Sequence, residues 1–205
     1  MTTTEITPLR HPVPVPGTDD HPVSGDDDTV WFTPAGPDDV DALHDLYERL
    51  SPESRRRRFF QPMPRVRRSI AAHLCTVDPA RHIVRLARQG SPTGPVVAEV
   101  QVALDTDDPT RAELALAVDD EWSGRGLGRM LVAIAHELAS RQGVETLTAE
   151  VLPENRPCVA LLSGAGMRFT VSSGLLEGVG PVVASGVLPA SGTFAPRPAP
   201  LAVPA

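Results

Sequence analysis

Asp119-Asp120-Glu121-Trp122-Ser123-Gly124-Arg125-Gly126-Leu127-Gly128-Arg129 is the stretch on which the reading of this chain turns. It follows an alternating segment that ends at Val118. It precedes a run in which Leu127, Met130, Leu131, Ile134, Ala135 and Leu138 recur at helical spacing. The pattern predicts a strand, a glycine-rich turn and a long helix from Gly126 or Leu127 to Gln142, stopped by Gly143. Glycines let the backbone come close to an anion, and a helix start offers unpaired N–H groups at the positive end of its dipole. Arg125 and Arg129 add positive charge, so a diphosphate is a suitable guest. A tight strand-to-helix connection would use the same glycines. No Gly-Lys-Ser/Thr follows, and the spacing is not GxGxxG with a ribose-binding acid after it, which excludes two common nucleotide signatures.

Outward from this turn the periodicity changes repeatedly. HIVRLARQ from His82, PVVAEVQVAL from Pro95 and RAELALAV from Arg111 read as three strands separated by turns at Ser91–Gly94 and Asp105–Thr110. Thr29–Thr33 reads as an earlier short strand. Pro37 opens a helix to about Leu50, Pro52 restarts one through the arginine run to Phe60, and Arg65–Cys75 suggests another. After the long helix, Glu145–Leu152 alternates as a strand, 155–165 forms a short helix, and weak strands are expected near 167–173 and 181–188. The predicted class is a mixed α/β sheet flanked by helices.

The ends of the chain differ in composition. Residues 1–28 carry six carboxylates against Arg10 alone, with little apolar content, and are expected to be a disordered acidic tail. Residues 189–205 form a Pro/Ala-rich segment also expected to be disordered, leaving 29–188 as the folded domain. Formal net charge is −7 with a pI near 5.3, which argues against a nucleic-acid binder. All 19 basic residues are arginine. Cys75 and Cys158 show no CxxC spacing, and the histidines, His11 and His21 in the tail among them, are too sparse for a metal site. MTTTEITPLRHPVPVPG lacks a signal-peptide core, and no apolar run approaches the ~20 residues that span a bilayer, so a soluble cytoplasmic protein is expected.

The turn resembles the acyl-CoA-binding motif of GNAT acyltransferases, Arg/Gln-x-x-Gly-x-Gly/Ala, with Gly126 and Gly128 as its glycines. LSPESRRRRFF (50–60) looks like the stretch after the first helix in GNAT domains of protein-lysine acetyltransferases. VLPENRPCVALLSGAGM (151–167) is similar to the family's later strand-Asn-helix-Gly-Phe element. The resemblance implies a largely antiparallel sheet splayed at an acyl-CoA site, and transfer of an acyl group, acetyl above all, to a protein lysine or small amine. It implies that the amides of Gly124, Arg125, Gly126, Leu127, Gly128 and Arg129 hold the CoA pyrophosphate. Backbone groups of Leu116, Ala117 and Val118 would pair with pantetheine like an added strand, and Asn155 would bond the same arm. Ser123 stands where the motif has Arg or Gln, weakening one pyrophosphate contact, and Met167 replaces the usual Phe.

Acylating an amine needs a base, because only the neutral amine attacks a thioester. Alternation places Glu113, Ala115 and Ala117 on one face of their strand and Leu114, Leu116 and Val118 on the other. A carboxylate beside two alanines suits a substrate-facing strand, and relatives carry a catalytic Glu at the matching place. Glu113 is therefore the candidate base and Glu99 the reserve; the competing reading puts Glu113 in plain solvent. The tyrosine that protonates the leaving thiolate in many relatives falls on Leu162, and Tyr47 is the sole tyrosine. That gap supports an alternative, a non-catalytic acyl-CoA-binding regulatory domain. Cys158, His44 and His73 read as packing or surface residues. Arg55–Arg58 read as a solvated helical face, with an acceptor-binding lip as the alternative.

Overall fold

The computed structural model describes residues 29–186 and 191–194. The acidic segment 1–28 and the remainder of 187–205 lie outside the described residues. Eight strands form a single sheet in the order β6-β7-β5-β4-β3-β2-β1-β8. They are β1 (Thr29–Pro34), β2 (His82–Gln89), β3 (Val96–Leu104), β4 (Arg111–Val118), β5 (Thr146–Val151), β6 (Arg168–Ser172), β7 (Leu175–Pro181) and β8 (Ser191–Thr193). Every neighbouring pair is antiparallel except β4 and β5. The helices are α1 (Val40–Arg49), α2 (Pro52–Phe59), α3 (Arg68–Thr76), α4 (Leu127–Arg141) and α5 (Arg156–Gly164). The expected mixed, largely antiparallel sheet with flanking helices is what forms.

The two faces of the sheet are packed separately. On one side α4 buries Leu127, Leu131, Ile134, Ala135 and Leu138 in a cluster with Val100 and Val102 of β3, Leu114 of β4 and Leu147 of β5. On the other side α1 and α3 bury Leu43, Leu46, Tyr47, Ala71 and Leu74 with Val84, Leu86 and Ala117. β4 thus serves both cores, as its alternation predicts. Burial of the Leu, Ile and Val side chains among them, each contributing roughly 1.5–3 kcal/mol, is the main force holding the helices to the sheet.

Local signals set the element ends. Ser51 Oγ accepts from Ser54 N at 3.2 Å and Pro52 sits at the first position of α2, which stops where Phe60 turns left-handed at φ 60°. Asn155 Oδ1 accepts from Cys158 N at 3.4 Å at the start of α5. The last hairpin corrects the expectation of a strand at 181–188, of which 187 and 188 lie outside the described residues. Ser173 and Gly174 are both left-handed, at φ 50° and 85°, so the chain reverses at once and β7 begins at Leu175. A second difference is β8. Within the expected C-terminal tail, Ser191–Thr193 pairs with β1 and Phe194 is buried in the core. The free edge of β1 supplies the backbone partners that composition alone does not reveal.

Candidate active site

β4 and β5 pair over Arg111–Glu113 and Thr146–Thr148, then part, although both continue further. Asp119 N donates to Val97 O at 2.9 Å, so by antiparallel alternation Ala117, opposite Glu99, is also hydrogen-bonded to β3. Leu116 and Val118 fall at the alternate positions, and their N–H and C=O groups face the gap. Of the three residues expected to pair with an extended arm, Ala117 is therefore committed to β3. A cavity of about 380 Å³ fills the gap. It is lined by Glu113–Val118 of β4, Ala149–Val151 of β5, and Asn155, Cys158, Leu161 and Leu162 around α5.

One wall of the cavity is the glycine turn, through Ser123, Gly124, Gly126, Gly128 and Arg129. Gly124 and Gly126 have φ of 78° and 94°, which a side chain would strain, and Gly126 leads directly into α4. Among the described residues, no backbone carbonyl accepts from the amides of Gly124, Gly126, Leu127 or Gly128. Those four lie at a helix start, where an anion is favoured. Two expected contributions differ. The Arg129 amide bonds to Gly126 O at 3.1 Å, within the first turn. The Arg125 guanidinium lies 3.9 Å from the Trp122 ring centroid and donates to Phe194 O at 3.2 Å, so its charge braces the turn. The Ser123 hydroxyl donates to Asp119 O at 3.4 Å.

The carboxylates separate clearly. Glu113 is exposed and lines the cavity, and its carboxylate has no hydrogen-bond or ion-pair partner among the described residues. Glu99 is 0% exposed and does not line the cavity. It accepts from Arg58 Nε at 2.8 Å, Tyr47 Oη at 3.3 Å and Gln101 Nε2 at 2.9 Å. Its lone pairs are engaged, which removes it as a reserve base. Burial, then the charge of Glu99, push the Tyr47 hydroxyl well above its ordinary pKa, and Tyr47 does not line the cavity. Leu162 does line it, so among the described residues no tyrosine stands beside a leaving thiolate. Burial raises the Cys158 thiol to about 11, which keeps it protonated.

The arginine run is not a solvated face. Arg55 donates to Pro64 O at 2.7 Å, Arg56 pairs with Glu154, Arg57 with Glu53 at 2.8 Å, and Arg58 with Glu99. Arg57 and Arg58 also line the cavity. Four consecutive positions point around the whole of a helix, and α2 is wedged between the sheet and neighbouring loops, so each finds its own partner. Among the described residues, no group of three or more His, Cys, Asp or Glu could hold a metal, and no helix is long and apolar enough to cross a membrane.

A splayed parallel pair beside an open glycine turn and a helix start matches a known family: the profile of the acetyltransferase (GNAT) family fits residues 40–167. The chain belongs to the GNAT family. It is 33% identical over 127 residues to Acetyltransferase Pat of Mycolicibacterium smegmatis, covering 61% of this chain and 38% of that protein. The chain thus spans well under half of that relative's length. The GNAT domain of S. lividans PAT superposes with a TM-score of 0.67 at 25% identity, covering 73% of this chain and 89% of that domain. A cAMP-binding acyltransferase from Mycobacterium smegmatis superposes with a TM-score of 0.55 at 26% identity, over 78% of this chain and 46% of the other.

Proposed function

We propose that the domain transfers an acetyl group from acetyl-CoA to an amine, a protein lysine or a small amine, by direct attack. The observation that carries this reading is the gap between β4 and β5, which opens onto the glycine turn. An extended arm with a diphosphate at one end and a thioester at the other fits such a site. The amides of Gly124, Gly126, Leu127 and Gly128 would bind the diphosphate, the open backbone groups of Leu116 and Val118 the pantetheine, and Asn155 the same arm through the amide nitrogen its cap leaves unused. The ammonium proton passes to Glu113, the neutral amine nitrogen forms a bond to the thioester carbon, and the carbon–sulfur bond breaks. The second nitrogen proton is lost to water, which returns one to the departing CoA thiolate. We place this activity in the cytoplasm, with Cys75 and Cys158 reduced.

The test is release of free thiol from acetyl-CoA across a panel of lysine peptides and small amines, with Glu113→Gln in parallel. Turnover that falls by about 10²-fold or more in the variant supports the base; full activity removes it. A second reading, a non-catalytic acyl-CoA binder, is favoured by Leu162 where relatives place a tyrosine. Calorimetric binding of acetyl-CoA with no thiol release for any acceptor would select it.

A further inference from the structure

No side chain of α2 is fully buried, yet the helix walls the cavity through Ser54, Arg57 and Arg58. It lies on the face of the sheet opposite α4. Arg58 reaches Glu99, Glu99 is paired with Ala117, and Ala117 packs with α1 and α3. Alternation along β4 puts Glu113 on that same face, so α2 walls the side from which an amine would approach. Its apolar anchorage is slight, with Phe59 edge-on to Tyr47 at 5.3 Å between ring centroids. A helix held this way takes its place from its polar contacts.

Those contacts reach both sides of the gap. Asp120, at the head of the glycine turn, holds the first turn of α2. Its Oδ2 accepts from Ser51 N at 2.7 Å, and its Oδ1 accepts from the Ser54 hydroxyl at 2.6 Å. A carboxylate there also suits the positive end of the helix. Further along, Arg56 pairs with Glu154. Glu154 lies between β5 and α5, immediately before Asn155, whose side chain caps α5 at the cavity. Asp120 therefore follows the end of β4 and Glu154 the end of β5, the two strands that part. α2 spans the open end between them, and neither carboxylate lines the cavity itself.

We propose that Asp120 and Glu154 are positioning residues for acyl transfer: they fasten α2 to the two segments that flank the acyl donor, so that donor binding sets the wall against which the amine is presented. This rests on the reading of the gap as the acyl-CoA site.

Hydrogen exchange of the full chain, read by mass spectrometry on peptides covering 52–60, tests it with acetyl-CoA as the probe. Saturating acetyl-CoA is expected to slow exchange of α2 about fivefold or more in the native chain, and by less than about twofold in Asp120→Ala and in Arg56→Glu. The double variant R56E/E154R, which restores the ion pair with its charges exchanged, should recover the slowing. Calorimetric affinity for acetyl-CoA should stay within about threefold in every variant, since the donor's own contacts are untouched. If Asp120→Ala fails to fold, the Arg56–Glu154 arm still decides, because those side chains are 39% and 45% exposed and their loss costs little stability. Acetyl-CoA that binds without slowing α2 in the native chain, or slows it equally in the folded variants, overturns this proposal alone. No binding of acetyl-CoA removes the reading of the gap, and this proposal with it.

Discussion

Arg125 Nη2 donates to the Phe194 carbonyl across 3.2 Å, tying the middle of the glycine turn to a residue close to the end of the chain. Phe194 is 6% exposed and packs in the same core as α4, while β8 just before it closes the edge of β1. A segment that composition marks as a disordered tail thus braces the wall of the cavity.

Phe194→Ala should therefore cost about 3 kcal/mol of stability, through lost burial and the void left behind. Arg125→Ala should cost about 1 kcal/mol, through the lost stack and hydrogen bond. Thermal unfolding measures both, and the Arg125 variant should also raise KM for acetyl-CoA. Unchanged midpoints would show that the segment does not brace the turn.

The glycine turn gives a second expectation. A Cβ at Gly124 or Gly126 would meet no heavy atom within 4 Å, so the cost of alanine there is backbone strain alone, about 1–2 kcal/mol. Distorting the turn should weaken acetyl-CoA binding about tenfold or more by calorimetry. Ser123→Arg, which restores the family's usual side chain, should tighten binding.

His136 gives the pH dependence. Burial holds its pKa below the ordinary value of 6.5, Val183 N donates to its Nδ1 at 3.2 Å, and Nε2 is buried without a partner. The unfolded chain binds the proton more readily than the folded one, so stability is full above the unfolded pKa. It declines as pH falls below about 6.5 toward the folded value. His82, lowered by burial in the same direction, adds to the slope. His136→Asn should flatten the decline between pH 7 and 5 in thermal melts; an unaltered slope would assign it to other groups.

Cys158 lines the cavity with its thiol raised to about 11. Alkylation by iodoacetamide at pH 8 should be much slower than for a free thiol, and slower again with CoA bound. Cys158→Ala should retain turnover within about twofold, as no covalent intermediate on sulfur is required. Loss of turnover with binding intact would point to a nucleophile.

The order of strands and helices from Thr29 to Val151 is legible because it rests on local signals. RAELALAV alternates, LGRMLVAIAHEL repeats at helical spacing, and the glycines between them can hold the left-handed angles they adopt. The same alternation places Glu113 beside Ala115 and Ala117 on one face of β4, apart from Leu114 in the core under α4. The final hairpin is displaced in that reading because Ser173-Gly174 is a weaker turn signal than the glycines and proline around it.

Alternation puts Glu113 ahead of Glu99 as a candidate but does not show which of the two is buried, since both sit on strands beside small residues. Contacts across 41 residues from Arg58 and 52 from Tyr47 make the first a buried anchor and leave the second open to the cavity. The ion pairs of Arg56 with Glu154 and of Arg58 with Glu99, the pairing of β8 with β1 and the parting of β4 from β5 are likewise decided by partners distant in sequence. A residue's type and spacing fix its local backbone and face. Which charge is desolvated, and which edge stays unpaired, depends on what the rest of the chain brings beside it.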